Sequence, residues 1–315
     1  MRVTATTFPT VLRQQLDRLA TKQARLQTQA GTGQRFQLSS EDPRAMRKVL
    51  DLQSEIKALN QYEKNIGTLG DTLNASFAAI KDLKKVSDRA GEIATRADSL
   101  RTPEELQTLA TEVDQLIERA VQLANTRHQS VYLFAGTKNS SPPFVIPTIG
   151  GRDAQNRIID VDFQGSSSVT SSEIAENIDI SVTVPGENTT GTGIRGLFKD
   201  ATSGADIFAH LISLRDNLLS NDTAAIRQTD LPNLLKDEEN ILYHVGSVGA
   251  EQTRLDTASS IANRRKASLD GLISNESDAD LAQTLVSLSE IQNAYVAALK
   301  TGGTILKESL LDYIR

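Results

Sequence analysis

Histidines are the residues of this chain best suited to chemistry at neutral pH, because an imidazole can act as a base, an acid or a metal ligand. The sequence has three, His128, His210 and His244, and no cysteine. No two of the histidines lie four residues apart, the spacing that would put a pair of metal ligands on one helix face. We therefore interpret all three as residues on helix faces with solvated imidazoles.

Three further short stretches could carry a function, and each has a simpler reading. "GTGIRG" at 191–196 is rich in glycine but lacks the Lys-Ser/Thr ending of a phosphate-binding loop. "RRK" at 264–266 and "DEE" at 237–239 read as exposed charged runs within helices. No Gly-x-Ser-x-Gly motif is present. The sequence therefore predicts no catalytic residue, no cofactor and no metal site, and we do not expect an enzyme.

Composition limits the classes of partner. The chain has 315 residues, a net charge of −6 and a sequence pI near 5.3. This charge argues against general nucleic-acid binding. No run of 18 apolar residues is present, and the first 20 residues lack the apolar core of a signal peptide. We expect neither nucleic acid nor membrane as a partner.

Long helices with a coiled-coil period dominate both ends of the chain. In the first helix the apolar positions alternate steps of four and three residues and stop before Gly31-Thr32-Gly33. Pro43 opens a second long helix, and Thr102-Pro103 with Glu105 opens a third that is predicted to run to about Ser130. Two more long helices follow Asp206 and extend to the end of the sequence.

The middle of the sequence has a different pattern. "RIIDVDF" at 157–163 and "IDISVTV" at 178–184 alternate apolar and polar residues, which is typical of strands. Serine- and glycine-rich stretches lie between and after them. We expect a small β-rich unit of about 60 residues inserted between two helical regions.

The two end helices are expected to pair with each other. Residues 1–40 carry six basic side chains and one acid, whereas residues 276–315 carry six acids and three basic side chains. A single helix with a narrow apolar stripe is marginal in water, so opposite charge and similar length make the two ends natural partners. Further copies of the chain would cover the apolar surface that remains.

The predicted architecture is mainly α with a small β-rich insert. It has a terminal coiled-coil domain of residues 1–40 and 276–315, a long helical bundle of residues 41–140 and 201–275, and a β-rich outer domain of residues 141–200. The predicted assembly residues of the terminal coil are Leu12, Leu16, Leu19, Leu26, Leu285, Leu288, Tyr295, Leu299, Leu306 and Leu310. Leu12, Leu16, Leu19 and Leu26 are expected to pack against Leu285, Leu288, Leu299 and Leu306.

Several stretches, in this order, resemble the bacterial flagellin superfamily. They are "LSSEDPRAM" (38–46), "VYLFAGTKNSSPPF" (131–144), "NDTAAI" (221–226), "VGAEQTRLDTA" (248–258) and "AYVAALKTGGTILKESLLDYI" (294–314). The second stretch and the "LLDYIR" ending are more similar to the hook–filament junction proteins of this superfamily than to flagellin itself. The resemblance covers about three quarters of the chain and leaves out the central 60 residues.

The resemblance implies a structural protein of the bacterial flagellum that forms the junction on which flagellin polymerisation starts. It also implies export through the flagellar type III system, an extracellular location and a ring of identical subunits with terminal coils lining the channel. The implied partners are hook-associated protein 1, flagellin, and a cytosolic export chaperone on the C-terminal helix. Two alternatives stay open: a flagellin filament subunit, and a non-flagellar coiled-coil interaction protein.

Overall fold

In the computed structural model of the protein, a strand-containing middle region follows one long helical stretch of the chain and precedes another. The structure describes the backbone of residues 7–97 and 100–314, and the side chains of residues 10–97 and 100–305. The chain divides into two compact units: unit 1 comprises Met1–Ala58 and Arg264–Arg315, and unit 2 comprises Leu59–Asn263. The division into three domains stays a prediction.

Helices account for most of the described residues, which confirms the predicted mainly α fold class. They are α1 (Thr7–Thr32), α2 (Pro43–Arg96), α3 (Pro103–Ala124), α4 (Ile207–Leu219), α5 (Thr223–Ala225), α6 (Leu231–Ser277) and α7 (Leu281–Ile314). A five-residue π-helical turn, Ile226–Asp230, leads into α6. Among the described residues, no helix has both the length and the apolar composition needed to cross a bilayer.

Local capping chemistry sets the starts of the helices. Asp42 Oδ1 accepts a hydrogen bond from the backbone N–H of Ala45 at 3.0 Å, and Pro43 is the first residue of α2. At the start of α3, Thr102 and Glu105 form the predicted capping box, in which each side chain accepts from the other's backbone N–H. Asp206 caps α4 through the N–H of Ala209.

The third helix is shorter than predicted. It ends at Ala124, and a two-stranded hairpin, β1 (Arg127–His128) with β2 (Val131–Tyr132), follows at once. Gln129 and Ser130 turn the hairpin with positive φ values of 45° and 73°, which a continuing helix cannot contain. The prediction of a helix to about Ser130 was therefore wrong.

The predicted strands are present but short. They are β3 (Phe144–Val145), β4 (Asp162–Phe163), β5 (Ser172–Ala175), β6 (Ile178–Ile180), β7 (Glu187–Asn188), β8 (Lys199–Asp200) and β9 (Ala205–Asp206). β3 pairs with β4 and β5 with β6, both antiparallel, and the last three form one sheet in the order β7-β8-β9. Much of "RIIDVDF" and "IDISVTV" is extended chain packed on helices rather than paired strand.

Unit 2 is held by one apolar core. Leu73, Ile80 and Leu83 of α2 are almost fully buried, as are Val113 and Ile117 of α3. Four phenylalanines from the middle region, Phe134, Phe144, Phe198 and Phe208, pack with ring centroids 4.9–5.6 Å apart. The aromatic residues are few, but their concentration at one point ties the strands to α4.

A buried arginine links three parts of this core. Arg215 on α4 is 1% exposed and lies 3.2 Å from Asp114 on α3 and 2.8 Å from Asp216. Its guanidinium also donates to the carbonyl oxygen of Ile158 in the strand region. The charge is therefore paired as burial requires, and the arginine fixes α3, α4 and the middle region together.

Two histidines and one acid are less exposed than the sequence suggested. His244 is 2% exposed and lies 3.3 Å from the carbonyl oxygen of Gly196 through Nε2. His210 Nδ1 lies 2.8 Å from Oδ2 of Asp237, a carboxyl that is 2% exposed although it was read as part of an exposed run. The prediction of solvated imidazoles on helix faces was wrong for His244 on α6 and for His210 on α4, because both side chains turn inward. His128 lies in β1 rather than on a helix.

The buried His244 makes the stability of unit 2 depend on pH. Burial lowers the pKa of His244 from 6.5 to about 4, so the folded protein takes up this proton at lower pH than the unfolded chain. Stability from neutral His244 is therefore complete above pH 6.5 and decreases as the pH falls toward 4, by about 3 kcal/mol in total. We expect the free energy of unfolding, measured in urea at pH 7 and 4.5, to change less in His244→Gln. Other titrating groups, including Asp237, cancel in this comparison, and an equal pH dependence in both proteins would contradict the prediction.

Candidate assembly interface

The loops that follow α1 and α6 are joined by backbone hydrogen bonds. The N–H of Arg35 donates to the carbonyl oxygen of Ser277 at 2.7 Å, and the N–H of Ala279 donates to that of Gly33 at 2.8 Å. Gln34 and Asp278 form an antiparallel β-bridge between these bonds. We call this connection of residues 33–35 with 277–279 the joint, and it places the end of α1 beside the start of α7.

A small apolar cluster and an ion pair support the joint. Phe36 is 6% exposed and packs with Ala45 and Val49 of α2, with Ile273 of α6 against the cluster. Lys48 of α2 forms an ion pair with Glu276 of α6. The αL conformation of Gly33, with φ of 70°, lets the chain leave α1 and turn toward the bridge.

From the joint, α1 and α7 run antiparallel along each other. We call this pair the terminal coil. On α1 the half-buried positions repeat with the predicted period, namely Leu12, Leu16, Leu19, Gln23, Leu26 and Ala30. On α7 the least exposed positions include Thr284, Leu288, Ile291, Tyr295, Ala298 and Gly302, which also alternate steps of four and three. These two sets form the seam of the terminal coil.

The two helices approach each other closely at Gly302. A Cβ atom added at Gly302 would lie 2.3 Å from Cδ2 of Leu12, well inside van der Waals contact. A Cβ atom added at the next residue, Gly303, would have no atom within 4 Å. Leu12 therefore fills the space above Gly302 and fixes the register at the far end of the coil from the joint.

The predicted assembly residues fall into three groups. Leu12, Leu16, Leu19, Leu26, Leu288 and Tyr295 lie in the seam, half-buried. Leu285 and Leu299 lie outside it and are 56% and 48% exposed, so the structure does not bring them against α1 as expected. Leu306 and Leu310 lie on α7, outside the described side chains. The assignment of these residues to an interface between molecules stays a prediction.

The difference at Leu285 and Leu299 has a simple geometric cause. At about 100° per residue, the seam positions of α7 and the exposed Leu281, Leu285, Val296 and Leu299 together cover about 160° of the helix circumference. Two seams with the same period fit within so wide a face, and the sequence reading followed the leucines. The signal that could have separated them is the smallness of Thr284, Ala298 and Gly302, which lets α1 approach.

Charge contributes less to the pairing than expected. Arg13, Arg18, Lys22 and Arg25 are exposed on α1, and Arg25 lies 3.9 Å from Glu41 in the following loop. Among the side chains described for α1 and α7, no ion pair joins the two helices. The acids Glu308 and Asp312 lie outside the described side chains. Apolar packing and the joint, rather than described ion pairs, hold this part of the coil.

The other candidate sites serve the fold of unit 2. Within "GTGIRG", the carbonyl oxygen of Gly196 accepts from Asn240 at 2.8 Å, and a Cβ there would lie 2.1 Å from the carbonyl oxygen of Lys199. The missing side chain therefore allows the close approach of the β7 and β8 backbone, while the carbonyl oxygen of Gly196 faces α6. A cavity of about 560 Å³ is lined by phenylalanines and acids, where Lys199 lies 3.3 Å from Asp206 and burial raises the pKa of Glu187. No group of three or more metal-ligand side chains occurs among the described residues.

Comparison with known proteins shows what this chain is similar to. Residues 8–139 match the family model for the bacterial flagellin N-terminal helical region. This match covers α1, the joint loop, α2, α3 and the first hairpin. No curated protein matched the chain in a comparison of sequences. The chain thus carries a flagellin-type N-terminal helical region, and the resemblance to the flagellin superfamily is confirmed.

Several solved structures of flagellar proteins have the same fold as this chain. A Vibrio parahaemolyticus protein assigned to the flagellar hook-associated proteins aligns with a TM-score of 0.64 and 18% identity, covering 76% of this chain and all of that one. Bacillus cereus FlgL aligns with a TM-score of 0.56 and 19% identity, covering 71% and 99%. The flagellar junction protein FlgL from Legionella pneumophila aligns with a TM-score of 0.52 and 14% identity, covering 75% and 100%. At these identities the likeness shows a shared fold.

The joint is expected to hold the terminal coil in register. Replacing Phe36 with Ala removes the buried ring from the small cluster and is expected to cost about 3 kcal/mol of local stability. Backbone amides of α1 and α7 should then exchange with deuterium faster, as measured by mass spectrometry. Leu38→Ala is the matched control, since Leu38 lies two residues on and is 64% exposed. Equal exchange in the two variants would show that the cluster does not support the coil.

The contact of Leu12 with Gly302 gives a second prediction. Gly302→Val should force Leu12 away and weaken the α1–α7 contact by about 1–3 kcal/mol. Trypsin should then cleave the described basic sites of α1 about fivefold faster or more, since a loss of 1.4 kcal/mol raises the opened population tenfold. Gly303→Val places the same side chain in open space and should leave the cleavage rate near that of the wild type. Equal cleavage rates in both variants would show that the helix propensity of valine, and not the contact with Leu12, sets the stability of the coil.

Proposed function

We propose that this protein is a structural component of the bacterial flagellum and forms the junction between hook and filament, on which flagellin polymerisation starts. The observation that carries the proposal is the shared fold: three chains named as hook-associated or FlgL proteins align over 99–100% of their own length. A structural role also fits the position of the exposed apolar residues of unit 1, such as Leu285 and Leu299, which lie along helix α7 rather than in a cleft.

The pairing of both ends of the sequence supports an assembling protein. The seam leaves half-exposed leucines on α1, so the two-helix coil alone buries its apolar residues incompletely. Further copies of the chain, arranged in a ring, would cover that surface. The proposed neighbours are hook-associated protein 1 on one side and flagellin on the other, with a cytosolic export chaperone on the C-terminal helix before assembly.

The proposed location is the flagellum outside the cell, reached through the flagellar type III export system. A chain that passes through a narrow export channel must be unfolded, and the absence of cysteine means that no disulfide has to form afterwards. Folding would then be completed where both chain ends meet neighbouring subunits.

A filament subunit is the second candidate. The family model that matches residues 8–139 describes flagellin, the protein from which filaments are built. The two functions share the α1–α3 region, and the hook-associated likeness of the solved structures favours the junction. A coiled-coil interaction protein outside the flagellum is the third candidate, supported by the helical period alone.

Deletion of the gene separates these candidates. For a junction protein we expect cells with hooks but without filaments, and with unpolymerised flagellin in the culture medium. The measurement is an immunoblot of the medium together with electron microscopy of the cell-attached structures. Re-expression of the wild-type chain should restore filaments and serves as the control.

Two other outcomes would contradict the proposal. Bare hooks without flagellin of any kind in the medium would identify the chain as the filament subunit. Intact filaments on the deletion strain would exclude both flagellar functions and leave the coiled-coil interaction protein.

A further inference from the structure

One extended segment of unit 2 has a backbone without partners. Strand β6 ends at Ile180, and backbone hydrogen bonds to neighbouring segments resume at Pro185. Between them, at residues 181–184, burial alternates as it does in extended chain, with Val182 and Val184 buried. Within the described part of the protein, no hydrogen bond involves a backbone N–H or C=O group of residues 181–184. Since backbone polar groups of folded proteins are normally paired, this segment offers an edge for a further strand.

A groove lies beside this segment and has a volume of about 260 Å³. Ile194 and Tyr243, which line it, are both about half exposed, so the groove opens to the surface. Its volume is slightly below the range of about 300–1,000 Å³ that is common for small-molecule sites, which suits a short length of chain. The groove is lined by residues 181–184 themselves, by Gly193 and Ile194, and by Leu73, Tyr243, Val248 and Glu251 of the two long helices α2 and α6.

Two side-chain oxygens in the groove also lack partners. Oγ of Ser181 and Oε2 of Glu251 are buried and form no hydrogen bond with any described residue. Arg254 lies 3.7 Å from Oε2 of Glu251, which is beyond hydrogen-bond distance. Because a buried acceptor without a partner is unfavourable and a carboxylate can only accept, the partner of Glu251 must be a donor.

The surrounding charges favour a neutral donor over a cation. Arg254 already lies near Glu251, and the guanidinium of Arg195 lies over the ring of Tyr243, 4.3 Å from the ring centroid. A further positive charge in the groove would be repelled by these arginines, whereas a side-chain amide or hydroxyl would not. The chemistry therefore fits an extended peptide that presents an asparagine or a threonine to Glu251.

We propose that residues 181–184 and the groove beside them bind an extended segment of a partner polypeptide other than this chain. The backbone of the partner pairs with residues 181–184 as an added strand, and one neutral side chain of the partner donates a hydrogen bond to Glu251. The added strand continues an existing sheet, because within the described residues β6 pairs with β5 alone and leaves its second edge unpaired.

A second copy of this chain is a poor source of the added strand. Its own extended segments are part of its core, since Ile158, Ile174 and Val182 are 1–5% exposed. Donating one of these segments would expose such side chains to water, which a short added strand does not offset. The inference goes beyond the proposed function, because it concerns a surface of unit 2 and does not depend on where the chain is assembled.

Hydrogen exchange of the full-length chain tests the proposal with a defined probe. The probe is the peptide acetyl-Thr-Val-Asn-Val-Thr-amide, which alternates as a strand does and carries a neutral donor at its centre. It is used at about 2 mM, because a single short strand binds weakly. One control peptide has its three central amides N-methylated and so lacks these backbone donors. The other has aspartate in place of asparagine, which cannot donate when ionised and is repelled by Glu251.

We expect the asparagine peptide to slow the exchange of the fragment that contains residues 181–184 about threefold, and both control peptides to change it less than 1.5-fold. No protection by the asparagine peptide, or equal protection by the N-methylated peptide, would overturn the inference. Slower exchange of the same fragment when the chain alone is concentrated would identify a second copy as the occupant and would overturn the choice of partner.

A pair of variants tests the part played by Glu251. Glu251→Ala removes the acceptor and should reduce the protection by the asparagine peptide at least twofold. Glu239→Ala is the matched control, since Glu239 is an exposed acid of the same helix that does not line the groove. Equal protection in the two variants would overturn the assignment of Glu251. The peptide comparison on the wild-type chain stands whether or not either variant folds.

Discussion

The backbone bridge between residues 33–35 and 277–279 is the constraint on which unit 1 depends. Residues that are more than 240 positions apart in the sequence are held by two backbone hydrogen bonds of 2.7 and 2.8 Å. The bridge aligns the end of α1 with the start of α7 and so sets the register of the terminal coil at this end, as the contact of Leu12 with Gly302 does at the other. The Phe36 cluster and the Lys48–Glu276 ion pair connect the neighbouring parts of α2 and α6 beside this bridge.

Among the described side chains, the seam of the terminal coil depends on residue size rather than on charge. The small residues of α7, Thr284, Ala298 and Gly302, let α1 lie close, and Leu12 occupies the space that Gly302 leaves. Larger apolar residues of the same helix, such as Leu285 and Leu299, lie outside the seam and are about half exposed.

In unit 2, by contrast, polar and charged side chains that turn inward help to hold the fold together. The buried Arg215 pairs with Asp114 and with the more exposed Asp216, His210 pairs with Asp237, and His244 is held neutral by burial. These groups tie α4 and α6 to the short strands, where few backbone hydrogen bonds are available to do so. The carbonyl oxygen of Gly196, which accepts from Asn240, and the group of packed phenylalanines also attach the irregular middle region to the long helices.

The sequence by itself determined the helices, their caps and the period of both terminal stripes, because hydrophobic repeats and capping residues act over a few neighbouring positions. It also determined the likeness to the flagellin superfamily, through stretches such as 131–144. Only the tertiary structure decided which face of α7 meets α1, that the third helix stops at Ala124, and that His244 and Asp237 are buried. Those outcomes depend on contacts between segments that are distant in the sequence. The apolar repeat of α7 is compatible with more than one seam, so the repeat alone does not show which face meets α1.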